Sequence, residues 1–359
     1  MLIGVDCQHL TEDGRTGTHN YLYNLLKNLA VLDLQNEYIL YFKHAPSDGF
    51  WNDISKNNRN WRYRVVKSGL SWVQMGLSLQ TFLDSPDRLL CSWHTLPILH
   101  NPKTKIVSVI HDFSYRGYKE LFMYASLFMS DTLVGVSNST ILQIVKRVPW
   151  KKKSTFMIYE GVDTNKYKKS NDKSVDAVRR RFGIPGRFFL SVGTLDPRKN
   201  LETMLKAVSL LLVENPDIDA KYVLVGRCAK GYEYIYKHAH TLLKEGALFL
   251  GRLSDDAVVD LYSSASALLY VSLQEGFGLP VLEALACGCP VITSNISSTA
   301  EIGNEAAFLA DPGDPQSIKS ALYSVLTDSE KKENKMRLGL EKVKIFTWKS
   351  CAEKFLKIL

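Results

Sequence analysis

Two carboxylates, two cations and one histidine stand out in this chain as side chains whose spacing could do chemistry. Glu275 and Glu283 lie eight residues apart in EGFGLPVLE, separated by Gly276, Phe277, Gly278 and Leu279 among others. Ionised carboxylates only accept hydrogen bonds, so two of them facing one ligand suit the paired hydroxyls of a sugar or a ribose. Gly276 and Gly278 let the loop turn sharply and let a ligand approach its backbone, and Pro280 suits the first position of a following helix. A helix starting there aims unpaired N–H groups at whatever sits in the loop, an arrangement suited to phosphate. That placement puts Glu275 in the loop and Glu283 in the first helical turn; Glu283 alone reads better as an ordinary helix-start residue, and it is the whole loop that points to a ligand. Arg198 and Lys199, in GTLDPRKN, offer charge-assisted donors to an anionic ligand. His111 and Asp112 end the apolar run IVSVI, where a catalytic pair and a capping Asp beside a buried His are equally good readings of the two residues.

These residues need elements to position them. Leu268–Val271 and Pro290–Thr293 read as buried strands with a helical pattern between them, the unit of a parallel sheet. The same alternation recurs along the chain. In the first half, strands are expected at Leu2–Val5, Tyr38–Phe42, Tyr63–Val66, Leu89–Ser92, Ile106–Ile110 and Thr132–Ser137. A helix is expected from about His19 to Leu32 after a loop holding Gly14 and Gly17. Another spans Trp72–Leu83, whose stripe of Trp72, Val73, Met75, Leu79, Phe82 and Leu83 reads as core. Ser137 or Asn138 caps a helix running to Arg147. A polar stretch from Asn165 to Arg187 reads as a linker with a short helix. A second series follows: Phe188–Val192, then Gly193 and Thr194; Tyr222–Val225, then Gly226; and FLGRL with Arg252 and Leu253, before a helix from Asp255.

Alternating strands and helices predict doubly wound sheets, which bind ligands at the carboxyl ends of their strands. The loop after the first strand lacks GxGxxG, and GRCAKG is followed by Tyr232 rather than Lys-Ser or Lys-Thr, so neither a dinucleotide fingerprint nor a P-loop is present. Asp217-Ile218-Asp219 looks like a metal-diphosphate motif, but it precedes a strand and therefore reads as a turn at the wrong sheet edge.

A chain of 359 residues predicts two domains. With 45% hydrophobic and 23% charged residues it has a soluble globular composition. The net charge of +8 is too diffuse for nucleic-acid binding and fits anionic ligands or an anionic membrane surface. KRVPWKKK, with Trp150 among Lys151, Lys152 and Lys153, is a solvated face or a weak contact for lipid headgroups. Six scattered cysteines read as buried thiols of a reducing compartment. Neither a signal peptide nor an apolar run near eighteen residues is visible, so a cytoplasmic protein, peripheral at most at the inner membrane face, is expected.

EGFGLPVLE followed by ALACGCPV closely resembles the donor-sugar motif of the retaining glycosyltransferases of family 4, which have the GT-B fold. VIHDFSY, EGVD after Tyr159, FLGRL and AFLADPGD are similar to further signatures of that family, so the likeness runs through nearly the whole chain. The resemblance implies two Rossmann-like α/β domains facing across a cleft: residues 1–165 on the acceptor side, completed by a C-terminal helix over 346–359, and residues 166–345 binding the nucleotide sugar. It implies that Glu275 holds sugar hydroxyls, that Glu283 holds the ribose, that Lys199 and Arg198 neutralise the diphosphate, and that His111 faces the donor sugar. Gly17, Gly193, Thr194, Gly226, Arg252, Leu253, Gly276, Phe277, Gly278 and Leu279 complete the implied donor site. Many relatives carry Arg where Thr194 stands, which leaves Arg198 and Lys199 as the cations. No residue is an obvious covalent nucleophile, in agreement with the front-face mechanism proposed for the family. The implied activity is transfer of mannose or another hexose from a UDP- or GDP-linked donor to a glycan or lipid-linked glycan, without metal or further cofactor. A nucleotide-sugar epimerase of the same architecture and a non-catalytic nucleotide or glycan sensor remain alternatives.

Overall fold

The computed structural model of the chain describes residues 1–10, 17–55, 58–68, 71–93, 95–114 and 117–359. Gly14 and Tyr115 lie outside them. Two compact units result, one made of Met1–Gly161 with Thr347–Leu359, the other of Val162–Phe346. The sequence placed a boundary between residues 165 and 166.

The first unit is built on seven parallel strands: β1 (Leu2–Asp6), β2 (Glu37–Phe42), β3 (Trp61–Val65), β4 (Arg88–Cys91), β5 (Lys105–Ile110), β6 (Thr132–Gly135) and β7 (Thr155–Met157), in the order β3-β2-β1-β4-β5-β6-β7. The second has six: β8 (Arg187–Val192), β9 (Ala220–Val225), β10 (Ala247–Gly251), β11 (Ala267–Tyr270), β12 (Val291–Ser294) and β13 (Phe308–Ala310), in the order β10-β9-β8-β11-β12-β13. Helices cover both faces of such sheets, so their strands are apolar along their length rather than alternating. β2 shows this: Tyr38, Ile39, Leu40, Tyr41 and Phe42 are all buried. Each sheet grows outward in both directions from its first strand. Strand order therefore reverses between β1 and β4 and between β8 and β11, leaving a crevice at the carboxyl edge of each sheet.

The helix Gly17–Leu32 packs on the helix Trp348–Leu356 within the first unit, with Tyr21 edge-on to Trp348 at 5.9 Å and to Phe355 at 6.5 Å. Gly161 is required there, because a Cβ would come within 2.2 Å of the Trp348 nitrogen. Ser137 caps the helix Asn138–Arg147, its hydroxyl accepting from the Thr140 nitrogen at 3.1 Å.

Three expectations are corrected. The stripe over Trp72–Leu83 is not one core face: Trp72, Val73 and Leu77 are buried, whereas Met75, Leu79, Phe82 and Leu83 are exposed. The segment begins as a π-helix, Trp72–Leu77, and continues as an α-helix, Ser78–Asp84. The wider π turn shifts the phase of the pattern, so Ser78, Gln80 and Thr81 face inward instead. The helix after the glycine loop starts at Leu279, with Gly278 as its cap at φ 116°, so Pro280 takes the second position and Glu283 falls just past the first turn. Finally, Cys228 is only half-buried while the other five cysteines are buried.

Candidate functional site

The crevice between β8 and β11 gathers the second unit's polar residues. β8 runs into Gly193 (φ 135°) and β9 into Gly226 (φ 149°). The two glycines lie back to back, since a Cβ on Gly226 would fall 1.8 Å from the Gly193 oxygen. Only glycine tolerates both this approach and this φ. After Thr194 the chain makes a short 3₁₀ turn, Pro197–Lys199, capped by Asp196, and Asn200 then adopts a left-handed conformation (φ 60°). The Asn200 side-chain amide donates to the carbonyls of Val271, at 3.0 Å, and Pro312, at 2.7 Å, fastening this turn to the loop after β11.

Lys199 thereby reaches across the crevice. Its Nζ donates to the Tyr270 hydroxyl and to Glu275 Oε1, each at 2.6 Å, and the side chains of the pair are only 14% and 10% exposed. Glu275 is fixed from behind as well, its backbone carbonyl accepting from Ser298 Oγ at 2.9 Å. A cation and a carboxylate thus stand together where the helix Leu279–Ala286 begins. Together they present donors for anionic oxygen and acceptors for hydroxyls in one place.

Glu283 sits deeper on the same helix. Its Oε2 accepts from the Tyr262 hydroxyl at 3.1 Å, and Tyr167 also hydrogen-bonds to it. Burial lifts its carboxyl from an ordinary 4.5 to about 7, the two tyrosine hydrogen bonds opposing the rise. Beyond it, Lys166 pairs with Asp255 at 2.5 Å.

Other predicted residues lie around this core. Arg198 is 38% exposed and pairs with Asp196 at 3.3 Å. Thr194 and Arg252 are exposed. Arg252 and Leu253 follow β10, the outermost strand, and so stand two strands from β8. Gly276 is buried in the loop, Leu279 opens the helix, and the Phe277 ring is buried at 6.1 Å from Phe346. Asp217 and Asp219 are exposed and precede β9, at the sheet's amino edge. Among the described residues, no group of three or more His, Cys, Asp or Glu side chains could hold a metal ion.

In the first unit, His111 follows β5 and both of its ring nitrogens face oxygens of the same unit. Nδ1 lies 3.3 Å from Glu160 Oε1 and Nε2 lies 3.2 Å from the Ser92 carbonyl. The Tyr21 ring stands edge-on to it at 4.7 Å. Gly17 is the exposed first residue of its helix, and among the described residues no atom lies within 4 Å of where a Cβ would be. The crevice between β1 and β4 carries Asp6, Gln8, His9 and Trp93. Asp6 accepts from the Gln8 backbone and side-chain nitrogens, each at 3.1 Å, and burial lifts its carboxyl to about 7. His9 and Trp93 have ring centroids 4.2 Å apart.

Sequence reasoning missed Glu160, Tyr270, Tyr262 and Tyr167. Glu160 and Tyr270 had a readable signal, since each stands at or just after the carboxyl end of an apolar strand, where ligand-facing groups collect. Tyr262 and Tyr167 gave none, because each is an aromatic in a segment that reads as packing or linker.

The profile of the glycosyl transferases group 1 matches residues 175–339. The chain is similar to O-antigen chain mannosyltransferase B of Escherichia coli, with 35% identity over 46% of this chain and 43% of that protein. It is also similar to O-antigen chain mannosyltransferase RfbU of Salmonella typhimurium, with 27% identity over 88% of this chain and 90% of the relative. It spans less than half the length of the first curated relatives it matches. Its fold is similar to the crystal structure of Anabaena Alr3699/HepE in complex with UDP, with a TM-score of 0.78 and 16% identity over 99% of this chain and 98% of that one. Residues 175–339 thus match the glycosyl transferases group 1, and the chain has a fold of two Rossmann-like α/β units, of GT-B architecture.

Proposed function

We propose that this chain is a retaining hexosyltransferase of surface polysaccharide synthesis, moving a sugar from a nucleotide diphosphate sugar to a glycan or lipid-linked glycan. Mannose from a GDP-linked donor is the first candidate, because two relatives are named O-antigen chain mannosyltransferases; a UDP-linked hexose is the second. One observation carries the reading: Lys199 and Glu275 are held together at the strand-order reversal of the second unit, beside a helix start.

In this reaction the bond from the anomeric carbon to the diphosphate oxygen breaks, and the acceptor hydroxyl oxygen bonds to the same face of that carbon. The hydroxyl proton passes to the departing diphosphate. Lys199, assisted by Arg198 and by the N–H groups after Gly278, meets the charge that builds on the leaving group, where preorganised donors count most. Glu275 accepts from the sugar hydroxyls and Glu283 from the ribose. Gly193, Thr194, Gly226, Arg252 and Leu253 line the nucleotide, and His111 contacts the donor sugar from the first unit. The protein supplies the positive charge itself, so activity survives a chelator. The acceptor is taken at the reversal point of the first unit, where Trp93 and His9 offer a stacking surface and Asp6 and Gln8 offer polar partners.

Membrane contact, in this reading, is peripheral. Trp150 and Phe128 are exposed and lie against each other, ring centroids 5.3 Å apart and tilted by 40°, beside exposed Lys152 and Lys153, while Lys151 donates inward to the Ser130 carbonyl. Among the described residues, no helix is long and apolar enough to cross a membrane.

The test is turnover of GDP-mannose and of UDP-hexoses, with and without glycan acceptors and with a chelator present. Glycosylated acceptor and free nucleoside diphosphate are expected only when both substrates are present. An epimerised sugar formed from donor alone would make the protein an isomerase, and nucleotide binding without any turnover would make it a sensor.

A further inference from the structure

Lys199 has three N–H donors, and two of them are committed inside the second unit, to Tyr270 and to Glu275 at 2.6 Å each. The same ammonium lies over the Tyr270 ring, 4.6 Å from its centroid, so the tyrosine holds it by its hydroxyl and by its π face. Tyr270 is the last residue of β11 and is buried, and its backbone carbonyl accepts from Thr293 Oγ1 at 2.9 Å. The phenol is therefore carried by a strand rather than by a mobile loop. Its hydroxyl also hydrogen-bonds to Glu275, and burial with the nearby Glu275 carboxylate keeps it well above its ordinary range, so it stays a donor. Gly193 lies beside the lysine, its φ of 135° favouring glycine, with Lys199 Cε at an ordinary contact distance of 3.6 Å from where a Cβ would be.

We infer that Tyr270 is a positioning residue of the transfer site. Its phenol bridges Lys199 and Glu275 and fixes the direction of the lysine's third N–H, so that this donor meets an anionic oxygen of a nucleoside diphosphate without reorganising. A lysine on a flexible four-carbon stem is otherwise a poorly directed donor. Tyr270 touches neither sugar nor phosphate in this account; it acts through the two charged residues. The inference rests on the donor-site reading above and adds to it a residue that the glycine loop and the cationic turn do not contain.

The experiment is a double-mutant cycle on Tyr270→Phe and Lys199→Ala. It reads kcat, the donor KM and, separately, the dissociation constants of free GDP and UDP. Phenylalanine retains the ring that packs under the ammonium and removes only the hydroxyl. Tyr270→Phe is expected to lower kcat about tenfold, as for one hydrogen bond to a charged group, while the donor KM changes little, because the leaving-group charge builds mainly in the transition state. The better-bound free diphosphate should lose affinity by a similar factor. In the Lys199→Ala background Tyr270→Phe should have no further effect on either quantity, which a merely structural role would not produce. Turnover within twofold of the parent, or full additivity of the two substitutions, overturns the inference while leaving the transferase reading standing. If the parent turns over no nucleotide sugar, the transferase reading falls, and the same cycle on GDP and UDP binding still decides the role of Tyr270. A parent that binds neither GDP nor UDP overturns both.

Discussion

The two reversal points of strand order share a topology and differ in chemistry. Between β8 and β11 stand a lysine, a glutamate and the tyrosine that joins them. Between β1 and β4 stand a buried aspartate bonded to its neighbouring glutamine and an imidazole against an indole. Neither crevice owes its chemistry to the fold, because both sheets are wound alike from their first strand outward. Winding decides where polar groups can meet a ligand, and the residues at the strand ends decide which ligand that is. In the proposed function, charge with hydroxyl acceptors suits a diphosphate sugar, and an aromatic surface with polar partners suits a glycan.

The largest test of this contrast falls on the second unit. Glu275→Gln should lower turnover by about a thousandfold while GDP or UDP still binds, and Lys199→Ala by about a hundredfold, the scale of losing preorganised groups at a transition state. Rates near the parent's for both variants would remove donor chemistry from this crevice. The corresponding test in the first unit is Trp93→Ala. It should raise the acceptor KM about tenfold, as for loss of a stacking surface, and leave the donor KM alone. A change in the donor KM instead would erase the division of labour between the two crevices.

A pH series sharpens the comparison, since each crevice holds a carboxyl lifted to about 7, Asp6 from an ordinary 3.8 and Glu283 from 4.5. A folded-state value above the unfolded one means that the native protein holds extra protons between those limits. The stability these groups contribute is therefore fully present at acid pH and is lost as pH rises through about 7. The melting temperature should fall on going from pH 5 to 8, and Asp6→Asn and Glu283→Gln should each flatten the fall by about 2–4 °C for every kcal/mol involved. Only Glu283 should also affect nucleotide binding. Ribose hydroxyls need its ionised form, so affinity for GDP or UDP should rise by up to about tenfold from pH 6 to 8, and Glu283→Gln should abolish that rise. An identical pH dependence of binding in the variant would take Glu283 out of the ribose site.

The smallest effect concerns the first unit's surface. Lys152→Ala with Lys153→Ala should weaken binding to anionic vesicles by a few-fold and lower its salt sensitivity, as expected for exposed charges screened over about 8 Å. Vesicle binding unchanged by the double substitution would move any membrane contact elsewhere, for which the exposed Met75, Leu79, Phe82 and Leu83 are the next surface to probe.

Much of this architecture is legible from local pattern. Apolar runs, capping residues and glycines act over a few neighbours, so the strands, the Ser137 cap and the positive-φ glycines after β8 and β9 follow from the order of residues. So does the place of Lys199 and Glu275 in the loops after β8 and β11. Periodicity failed over Trp72–Leu83, because a single π turn displaced the phase and the inward face was chosen by packing rather than by hydrophobic count. The partners of the site are of another kind. Lys199 meets Tyr270 across 71 residues and Glu275 across 76, and His111 meets Glu160 across 49. Which loops become neighbours depends on the lateral order of parallel strands, and that order is set by crossovers burying helices on both faces of each sheet. No local rule encodes it, so the charges could be read along the chain, whereas the side chains that aim them emerged only once the sheets had closed around them.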